Sequence, residues 1–235
     1  MESAIYMGDS YLKEFEATVQ SVRDDKFVVL NKSAFYPQGG GQPHDTGVII
    51  CNGEEYLVVY AGKFSGTISH EVSRPGLKEG DNVVGRIDWE RRYRLMRMHT
   101  AAHIIDAILF SESGALCTGN QLGLDKSRID FSLETLDRDK IQQYVDMANG
   151  WVKKAIDLKI YTLPREEALK IPGVVKLASV MPPEVRELRI VEIPGIDLQA
   201  DGGTQVKNTS EIGKISLVSV ENKGKSNRRM YYTVS

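Results

Sequence analysis

The stretch YRLMRMHTAAHIIDAILFS, residues 93–111, decides the fold. It contains no glycine or proline, and its many Leu, Met, Ala and Ile residues are typical of a largely buried helix. We therefore predict a helix over Tyr93–Ser111. The hydrophobic pattern changes its period here, so the residues before and after this helix are expected to form different kinds of structure.

Before the helix, from Phe15 to about Val84, short apolar runs are broken repeatedly by Gly, Asp, Asn and Lys. The runs are FEATVQSV (15–22), KFVVLN (26–31), GVIICN (47–52) and EYLVVYAG (55–62). This spacing is typical of a compact antiparallel β unit. The segment FYPQGGGQPHDTG (35–47) cannot continue the pattern, because three consecutive glycines stand between two prolines. We predict a loop with an unusual backbone there.

After the helix, the pattern indicates an α+β unit. A second helix is predicted over residues 137–158, weakened at Gly150 by about 1 kcal/mol relative to alanine. Strands are predicted at SRIDFSL (127–133), ELRIVEI (187–193), KISLVSVEN (214–222) and YYTV (231–234). Helices laid on an antiparallel sheet accommodate this order. The boundary falls between Gly80 and Trp89, which predicts domains 1–88 and 89–235.

Composition excludes some classes of protein. Thirty Lys and Arg against 32 Asp and Glu give the 235-residue chain a formal charge of −2, so a nucleic-acid surface would have to be a local patch. Cys51 and Cys117 form no CxxC pair and are expected to be reduced thiols. No run approaches the ~18 apolar residues of a membrane span, and a cytoplasmic protein is expected.

His99 and His103 are four residues apart in the predicted helix. Both imidazoles therefore lie on one face, about one turn apart, where they could hold one divalent metal ion. The alternative is a pair of histidines that are hydrogen-bonded in a core. His44 and His70 are expected to be structural or surface residues.

A metal bound by two histidines needs further ligands, and the loop IPGIDLQADGGTQVKN (193–208) could supply them. Asp201 and Gln205 offer oxygen atoms four positions apart, and the intervening Gly-Gly-Thr allows a tight turn to aim both at one point. A carboxylate is an ordinary zinc ligand, whereas a neutral amide oxygen binds zinc poorly. The alternative is a glycine turn closed by an Asx hydrogen bond.

Three motifs in this order resemble the AlaX proteins, freestanding relatives of the alanyl-tRNA synthetase editing domain. They are FYPQGGGQPHDTG, RIDWERRYRLMRMHTAAHII (86–105) and EIPGIDLQADGGTQVKNTSEIG (192–213), and the resemblance extends from about Phe15 to ENKGKSNRR (221–229). It implies an N-terminal antiparallel β-barrel followed by an α+β editing core of the type that threonyl- and alanyl-tRNA synthetases share. It also implies an aminoacyl-tRNA deacylase that hydrolyses tRNA(Ala) mischarged chiefly with serine, or with glycine.

The resemblance further implies one Zn²⁺ ion per chain. His99 and His103 match the first two ligands of the family, whereas Asp201 and Gln205 stand where a cysteine and a histidine are usual. The resemblance does not identify a catalytic residue. A metal could polarise the ester carbonyl, lower the pKa of a bound water or anchor the aminoacyl group, and the sequence does not choose among these.

Substrate contacts follow from what editing requires. Serine is alanine plus a hydroxyl, so a site that hydrogen-bonds this hydroxyl can reject alanine, whose binding would leave buried polar groups unpaired. Gln42 and Thr204 are the candidates for that contact, with Gln38 a weaker one. Gly39, Gly40 and Gly41 would let backbone N–H groups approach the substrate.

Two clusters of cations could grip phosphates. One surrounds the start of the helix (Arg86, Arg91, Arg92, Arg94, Arg97). From this cluster, Arg92 is predicted to bind the nucleic acid. The other (Lys223, Lys225, Arg228, Arg229) lies in a segment without acids, Asn222 to Arg229. The alternative is that these are solvated positions balanced by Asp88, Glu90 and Glu221.

Three functions remain open: a metal-assisted esterase for mischarged tRNA, a tRNA-binding module that has lost catalysis, and a metallohydrolase of a small molecule. The first is preferred. Its partner would be tRNA(Ala), with no membrane and no obligate protein partner.

Overall fold

The computed structural model describes residues 4–135, 137–171, 174 and 185–235. The chain divides into two compact units, Met1–Met96 and Arg97–Ser235. The sequence places the boundary after residue 88 instead, so the functional domain assignment stays a prediction. Within the described ranges, no helix is long and apolar enough to cross a membrane.

The first unit contains a closed antiparallel barrel, as the resemblance implied. After a 3-10 helix (Ile5–Met7), its strands are β1 (Glu14–Arg23), β2 (Phe27–Leu30), β3 (Gly47–Cys51), β4 (Glu54–Phe64), β5 (Thr67–Val72) and β6 (Asn82–Ile87). Their order around the barrel is β1-β2-β5-β4-β3-β6, and β6 pairs with β1 to close it. Closure leaves neither β1 nor β6 as an exposed edge.

Alternation of residues along β1 builds the barrel interior. Phe15, Ala17 and Val19 are buried, while the residues between them are more exposed. Phe15 lies opposite Gly85 on β6, and a Cβ at Gly85 would lie 2.5 Å from the Phe15 ring. Glycine at this position therefore makes room for the aromatic side chain.

Helix α1 (Trp89–Ser113) begins four residues earlier and ends two residues later than predicted. Its early start includes Arg92, whose guanidinium is fully buried in the first unit. Arg92 Nε donates to both carboxylate oxygens of Asp45 at 2.9 and 3.0 Å, and Nη1 donates to the Ser10 carbonyl at 2.9 Å. This buried ion pair holds the helix entry against the loop that carries Asp45.

The second unit is α+β and contains two antiparallel sheets. Beyond the rest of α1 it comprises β7 (Cys117–Gln121), β8 (Ser127–Ser132), α2 (Arg138–Lys153), β9 (Lys159–Pro164), α3 (Arg165–Ala168), β10 (Glu187–Ile193), β11 (Asp197–Ala200), a 3-10 helix (Thr209–Ile212), β12 (Ile215–Asn222) and β13 (Asn227–Val234). One sheet has the order β11-β10-β9 and the other β12-β13-β8-β7. These elements confirm the predicted fold class.

Local backbone chemistry explains where the prediction differs. Helix α2 ends at Lys153 and not at Leu158, because Ala155 adopts a left-handed conformation with φ of 52°. Its start is capped by Asp137, whose side chain accepts hydrogen bonds from two backbone N–H groups. Strand β7 was not predicted, because CTGNQ is polar and carries no alternation.

The four-stranded sheet has one buried and one more exposed face. Ile129, Phe131, Met230 and Tyr232 are buried, and the Tyr232 hydroxyl donates to the Met98 carbonyl of α1 at 2.8 Å. The other face carries alternate residues of β8 and β13. The buried face thus ties the sheet to the helix that holds the two candidate histidines.

Candidate metal centre

Helix α1 places His99 and His103 side by side. Their ring centroids are 5.1 Å apart, and both side chains are buried. Burial lowers the pKa of His99 to about 4, so this imidazole is neutral at pH 7 and can offer a lone pair to a cation. The i, i+4 spacing therefore brings the two rings together as the sequence predicts.

Asp201, which follows β11, brings a carboxylate to the same point. Its Oδ1 is 3.7 Å from His99 Nε2, and its Oδ2 is 3.9 Å from His103 Nε2. The ligand atoms of these residues all lie within 4.8 Å of one another. The structure thus joins a helix and a loop that are about a hundred residues apart in sequence.

The three donors fit the ligand chemistry of zinc. At ordinary bond lengths of about 2.0 to 2.1 Å, the donors of a tetrahedral zinc site lie about 3.3 Å apart. The distances of 3.7 and 3.9 Å are a few tenths of an ångström longer, which side-chain rotation can close. Two imidazoles and one carboxylate are also a ligand set of catalytic zinc sites, which keep a fourth position open.

Asp197 supports one of these ligands from behind. Its Oδ2 lies 2.7 Å from His103 Nδ1, and both side chains are buried. This contact keeps a proton on His103 Nδ1, so Nε2, which faces Asp201, is the nitrogen available to bind a metal. Burial alone would lower the pKa of His103, but the Asp197 carboxylate outweighs it and raises the pKa.

Gln205 faces the site with its amide nitrogen. Nε2 donates to Asp201 Oδ2 at 2.9 Å and lies 3.2 Å from His103 Nε2. Oε1 accepts from the Thr100 hydroxyl at 2.7 Å, and the Thr100 oxygen accepts from the Val206 N–H at 3.2 Å. Because the ionised Asp201 carboxylate can only accept, the Gln205 atom that faces it has to be the amide nitrogen, and this contact fixes the amide orientation.

In this orientation Gln205 presents its amide nitrogen, and not its oxygen, to the site, so a role for Gln205 as a metal ligand stays a prediction. An amide N–H₂ group is a hydrogen-bond donor without a lone pair for a cation. Gln205 instead orients the Asp201 carboxylate and contacts His103. Among the His, Cys, Asp and Glu residues that the structure describes, His99, His103 and Asp201 converge as candidate metal ligands.

Arg189 of β10 shapes the turn that carries Asp201. Its guanidinium is buried, and Nη1 donates to the carbonyls of Asp201 and Gly203 at 2.9 Å each. Asp201 Oδ2 also accepts from the Gly203 N–H at 3.0 Å, so the Asx hydrogen bond exists beside the candidate metal site. Burial opposes ionisation of Asp201, but the neighbouring His99, His103 and Arg189 groups outweigh it and lower the pKa to about 2.

Sequence reasoning missed Asp197, Thr100 and Arg189. Asp197 had a usable signal, because it precedes Asp201 in the same polar loop and a ligating histidine normally donates its second N–H to a carboxylate. Thr100 lies between the two histidines in sequence, but its role depends on a partner 105 residues away. Arg189 lies within an apolar run and carries no signal of its own.

The predicted substrate-binding residues lie in both units. Gly39 and Gln42 close a tight turn by two backbone hydrogen bonds of 2.8 and 3.1 Å. Gly40 and Gly41 have positive φ angles of 57° and 84°, as in a type I′ turn, which confirms the unusual backbone. Thr204 is fully buried in the second unit. That these residues share one substrate stays a prediction.

Burial corrects two of the predicted RNA contacts. Arg92 is enclosed and bonded to Asp45, so it presents no donor to a phosphate. Arg228 is also buried, and it donates to the carbonyls of Gly224 and Asn227 at 2.6 and 3.0 Å and to that of Glu134. The Arg92 guanidinium and the two terminal nitrogens of Arg228 are thus engaged with internal acceptors. The predicted balance between Lys223 and Glu221 exists as an ion pair of 2.9 Å.

The remaining predicted RNA contacts lie nearer the surface. Lys223 and Lys225 are exposed. Arg229 is partly buried and forms a two-bond pair with Asp130, at 2.6 and 2.8 Å. These three residues stay predictions for RNA binding.

The other two histidines have structural contacts. His70 is buried in the barrel, where its Nε2 bonds to the Ser33 hydroxyl at 2.8 Å and its Nδ1 to the Val28 carbonyl at 2.9 Å. His44 lies against the Tyr60 ring, with centroids 4.7 Å apart. Both positions agree with the structural interpretation of these residues.

Comparison with known protein families matches both ends of the chain. Residues 3–91 match the family model described as tRNA synthetases class II (A). Residues 188–231 match the threonyl and alanyl tRNA synthetase second additional domain. The second match includes Arg189, Asp197, Asp201 and Gln205.

Curated relatives match over the whole chain. The alanyl-tRNA editing protein AlaX-M of Methanosarcina barkeri is 52% identical, covering 100% of this chain and 99% of the relative. That of Saccharolobus solfataricus is 48% identical with the same coverage. The alanine–tRNA ligase of Pyrococcus furiosus is 39% identical over 92% of this chain but only 24% of its own length. The chain therefore belongs to the AlaX-M family of alanyl-tRNA editing proteins, which are aminoacyl-tRNA deacylases.

Proposed function

We propose that this protein removes serine, and as a second substrate glycine, from mischarged tRNA(Ala), by hydrolysis of the ester with one zinc ion held by His99, His103 and Asp201. The observation that carries the proposal is the convergence of these three donors within 4.8 Å in the second unit. Family membership supports alanyl-tRNA editing as the setting for this chemistry.

The surrounding side chains hold the three donors in place. Asp197 fixes the ring and proton of His103, and the Thr100–Gln205 pair orients the Asp201 carboxylate. Arg189 holds the backbone of the turn from Asp201 to Gly203. When bound, a zinc ion would supply Lewis-acid polarisation of the ester carbonyl or of a water molecule.

Selectivity for serine would come from a polar contact to its hydroxyl. A site that hydrogen-bonds this hydroxyl penalises alanine, because alanine leaves the buried partner unpaired. Thr204 is the candidate in the editing core, since it lies in the turn between Asp201 and Gln205. Gln42 and the backbone of Gly39, Gly40 and Gly41 are the candidates in the barrel unit, where the glycine turn leaves the backbone uncovered by side chains.

We propose direct attack by water, without a covalent intermediate. Among the described residues, Cys117 is the cysteine that is exposed as a whole residue. Its sulfur is partly covered, and this burial raises the pKa of the thiol to about 11, which leaves it a poor nucleophile at neutral pH. The other cysteine, Cys51, is buried in the barrel. In a single-turnover assay with Ser-tRNA(Ala), loss of ester without a trapped acyl-enzyme is expected, and a trapped acyl-enzyme would refute direct attack.

The proposed setting is the cytoplasm, with tRNA(Ala) as the partner. Lys223, Lys225 and Arg229 would contribute to the contact with phosphates, because they lie at or near the surface. The proposed function requires neither a membrane nor an obligate protein partner.

The decisive experiment compares deacylation of Ser-tRNA(Ala) and Ala-tRNA(Ala), with and without a chelator, for the wild type and for His99→Ala and His103→Ala. We expect zinc-dependent loss of serine that both variants abolish. Unchanged activity in the variants would refute the metal centre. Tight tRNA binding without turnover would indicate a binding module, and lack of RNA affinity would indicate a hydrolase of small molecules.

A further inference from the structure

The exposed face of the four-stranded sheet carries a concentration of cations that the metal centre does not use. Arg128 on β8 pairs with Tyr231 on β13, and Asp130 pairs with Arg229, so these four residues point to the same face. Lys126 precedes β8, and its ammonium lies over the Tyr231 ring, 4.7 Å from the centroid. The opposite face is buried and mostly apolar, and its one cation on these two strands, Arg228, donates to backbone carbonyls.

A cavity of about 420 Å³ opens among these residues. Lys126, Arg128, Arg229 and Tyr231 line it together with residues 121–123 at the end of β7. Its volume lies within the range of sites that hold small ligands, about 300 to 1,000 Å³. Gly119, opposite Asp130 on β7, adds no side chain to this face.

The charges around the cavity do not balance. Asp130 forms its two-bond pair with Arg229, and its Oδ2 is 3.8 Å from Arg128 Nη1. The pKa of Asp130 is lowered, first by its hydrogen bond to Arg229, so this carboxylate is ionised at neutral pH. Three cations therefore share one carboxylate; Glu221, opposite Arg229 on β12, is neutralised by Lys223 at 2.9 Å, so two positive charges remain in excess.

Arg128 also has an unused donor. Its Nε is buried and has no hydrogen-bond partner among the described residues. A buried N–H without an acceptor costs about 1 to 3 kcal/mol, which a ligand oxygen would relieve. An anion entering the cavity would thus find a net positive charge, and it would reach the Nε donor once the partly exposed Arg128 side chain turns towards it.

We infer that this cleft, formed by Lys126, Arg128, Arg229 and Tyr231, binds backbone phosphates of the RNA substrate. The inference rests on the proposed function, which makes tRNA the substrate. Arg and Lys donors with excess positive charge match a phosphodiester group, whose oxygens accept hydrogen bonds and carry the opposite charge. The cleft extends the predicted RNA surface from Arg229 to Lys126 and Arg128, two residues that sequence reasoning did not select.

The test measures the affinity for uncharged tRNA(Ala) over a series of KCl concentrations. Each phosphate contact contributes about 0.7 to 0.9 to the slope of log affinity against log salt. The double variant Lys126→Gln/Arg128→Gln should therefore flatten the slope by about 1.5. The single variant Lys126→Gln changes an exposed side chain and should flatten it by about half as much.

Matched controls separate a local contact from a general loss of charge. Arg138→Gln/Lys140→Gln removes two exposed cations from α2 and should leave the slope unchanged. Lys126→Arg/Arg128→Lys keeps both charges and should retain most of the slope. Deacylation of Ser-tRNA(Ala) should show a raised KM with an unchanged kcat for the cleft variants, because the cleft lies outside the metal centre.

Three outcomes overturn the inference. If the wild type binds and deacylates tRNA but the cleft variants keep its slope, the cleft is not an RNA site, and the proposed function stands. If titrated inorganic phosphate binds the wild type but not the cleft variants, while the tRNA slope is unchanged, the cleft takes free phosphate. If the wild type neither binds nor deacylates tRNA, the proposed function is refuted, and the inference about the cleft is refuted with it.

Discussion

Asp197→Asn should weaken zinc binding, although Asp197 is not one of the three proposed ligands. The Asp197 carboxylate lies 2.7 Å from His103 Nδ1 in a buried position and holds both the ring and its proton. Asparagine keeps the size of the side chain but loses the negative charge. The proposed ligand His103 becomes less basic and less strongly oriented.

The magnitude follows from the contacts of Asp197. Partners behind a ligating histidine are worth about 10- to 100-fold in metal affinity, or about 1.4 to 2.8 kcal/mol. Two donors now share the carboxylate, since Gln199 Nε2 donates to Asp197 Oδ1 at 2.9 Å. Asparagine offers one oxygen, which can still accept from His103, so Asp197→Asn should lie near the tenfold end. Asp197→Ala keeps no acceptor and should lie near the hundredfold end.

The assay is a competition titration of zinc between the protein and a chromophoric chelator at fixed pH. Glu187→Gln is the matched control, because it removes an exposed carboxylate from the same three-stranded sheet and should leave the zinc affinity unchanged. His99→Ala shows the effect of losing a ligand. Zinc affinity within threefold of the wild type in Asp197→Asn, with loss of binding in His99→Ala, would refute the supporting role of Asp197.

Three further predictions concern stability, each measured by urea unfolding. Thr100→Val removes the hydroxyl that bonds Gln205 and Val206 in the interior, and should lower the unfolding free energy by about 1 to 3 kcal/mol; an unchanged midpoint would contradict this role. Asp45→Ala leaves the buried Arg92 guanidinium without its counterion and should cost about 3 to 5 kcal/mol, whereas Glu54→Ala, at an exposed pair, should have little effect; equal effects would disprove the importance of burial. Burial lowers the pKa of His70 to about 4 from 6.5. The unfolding free energy should therefore be full above pH 6.5 and should fall by about 3 kcal/mol as the pH is lowered towards 4. The same pH dependence of unfolding in His70→Gln would contradict this prediction.

Those helices and strands whose residues follow a clear hydrophobic period can be predicted from the sequence. The residues of α1 have to form a buried helix, because a glycine-free apolar run of this length has no better conformation. The β-rich runs before it and the strands ELRIVEI and KISLVSVEN were predicted for the same local reason. CTGNQ and KIYTLP could not be predicted as strands, since neighbouring strands pair with them and their own residues carry no period.

The charged residues show the limit of sequence reasoning most clearly. Arg92 and Arg229 are both arginines in polar segments, yet one is enclosed with Asp45 and the other lines a cavity. Lys126 and Arg128 belong to that cavity because β8 and β13 pair in one particular register. Sequence shows that a cation is present, but its solvent exposure depends on which strands and loops surround it.

Periods of a few residues are enough to predict a β unit followed by an α+β unit and to place His99 and His103 on one helical face, whereas the closed barrel was expected only from the family resemblance. The tertiary structure alone decided that Asp201 faces the histidines while Gln205 turns its amide nitrogen towards them. That orientation depends on the Asp201 carboxylate, which can only accept from the amide nitrogen, and on Thr100, which donates to the amide oxygen from 105 residues away. Local propensities carry no information about such distant partners, so the number of metal ligands is a property of the folded chain.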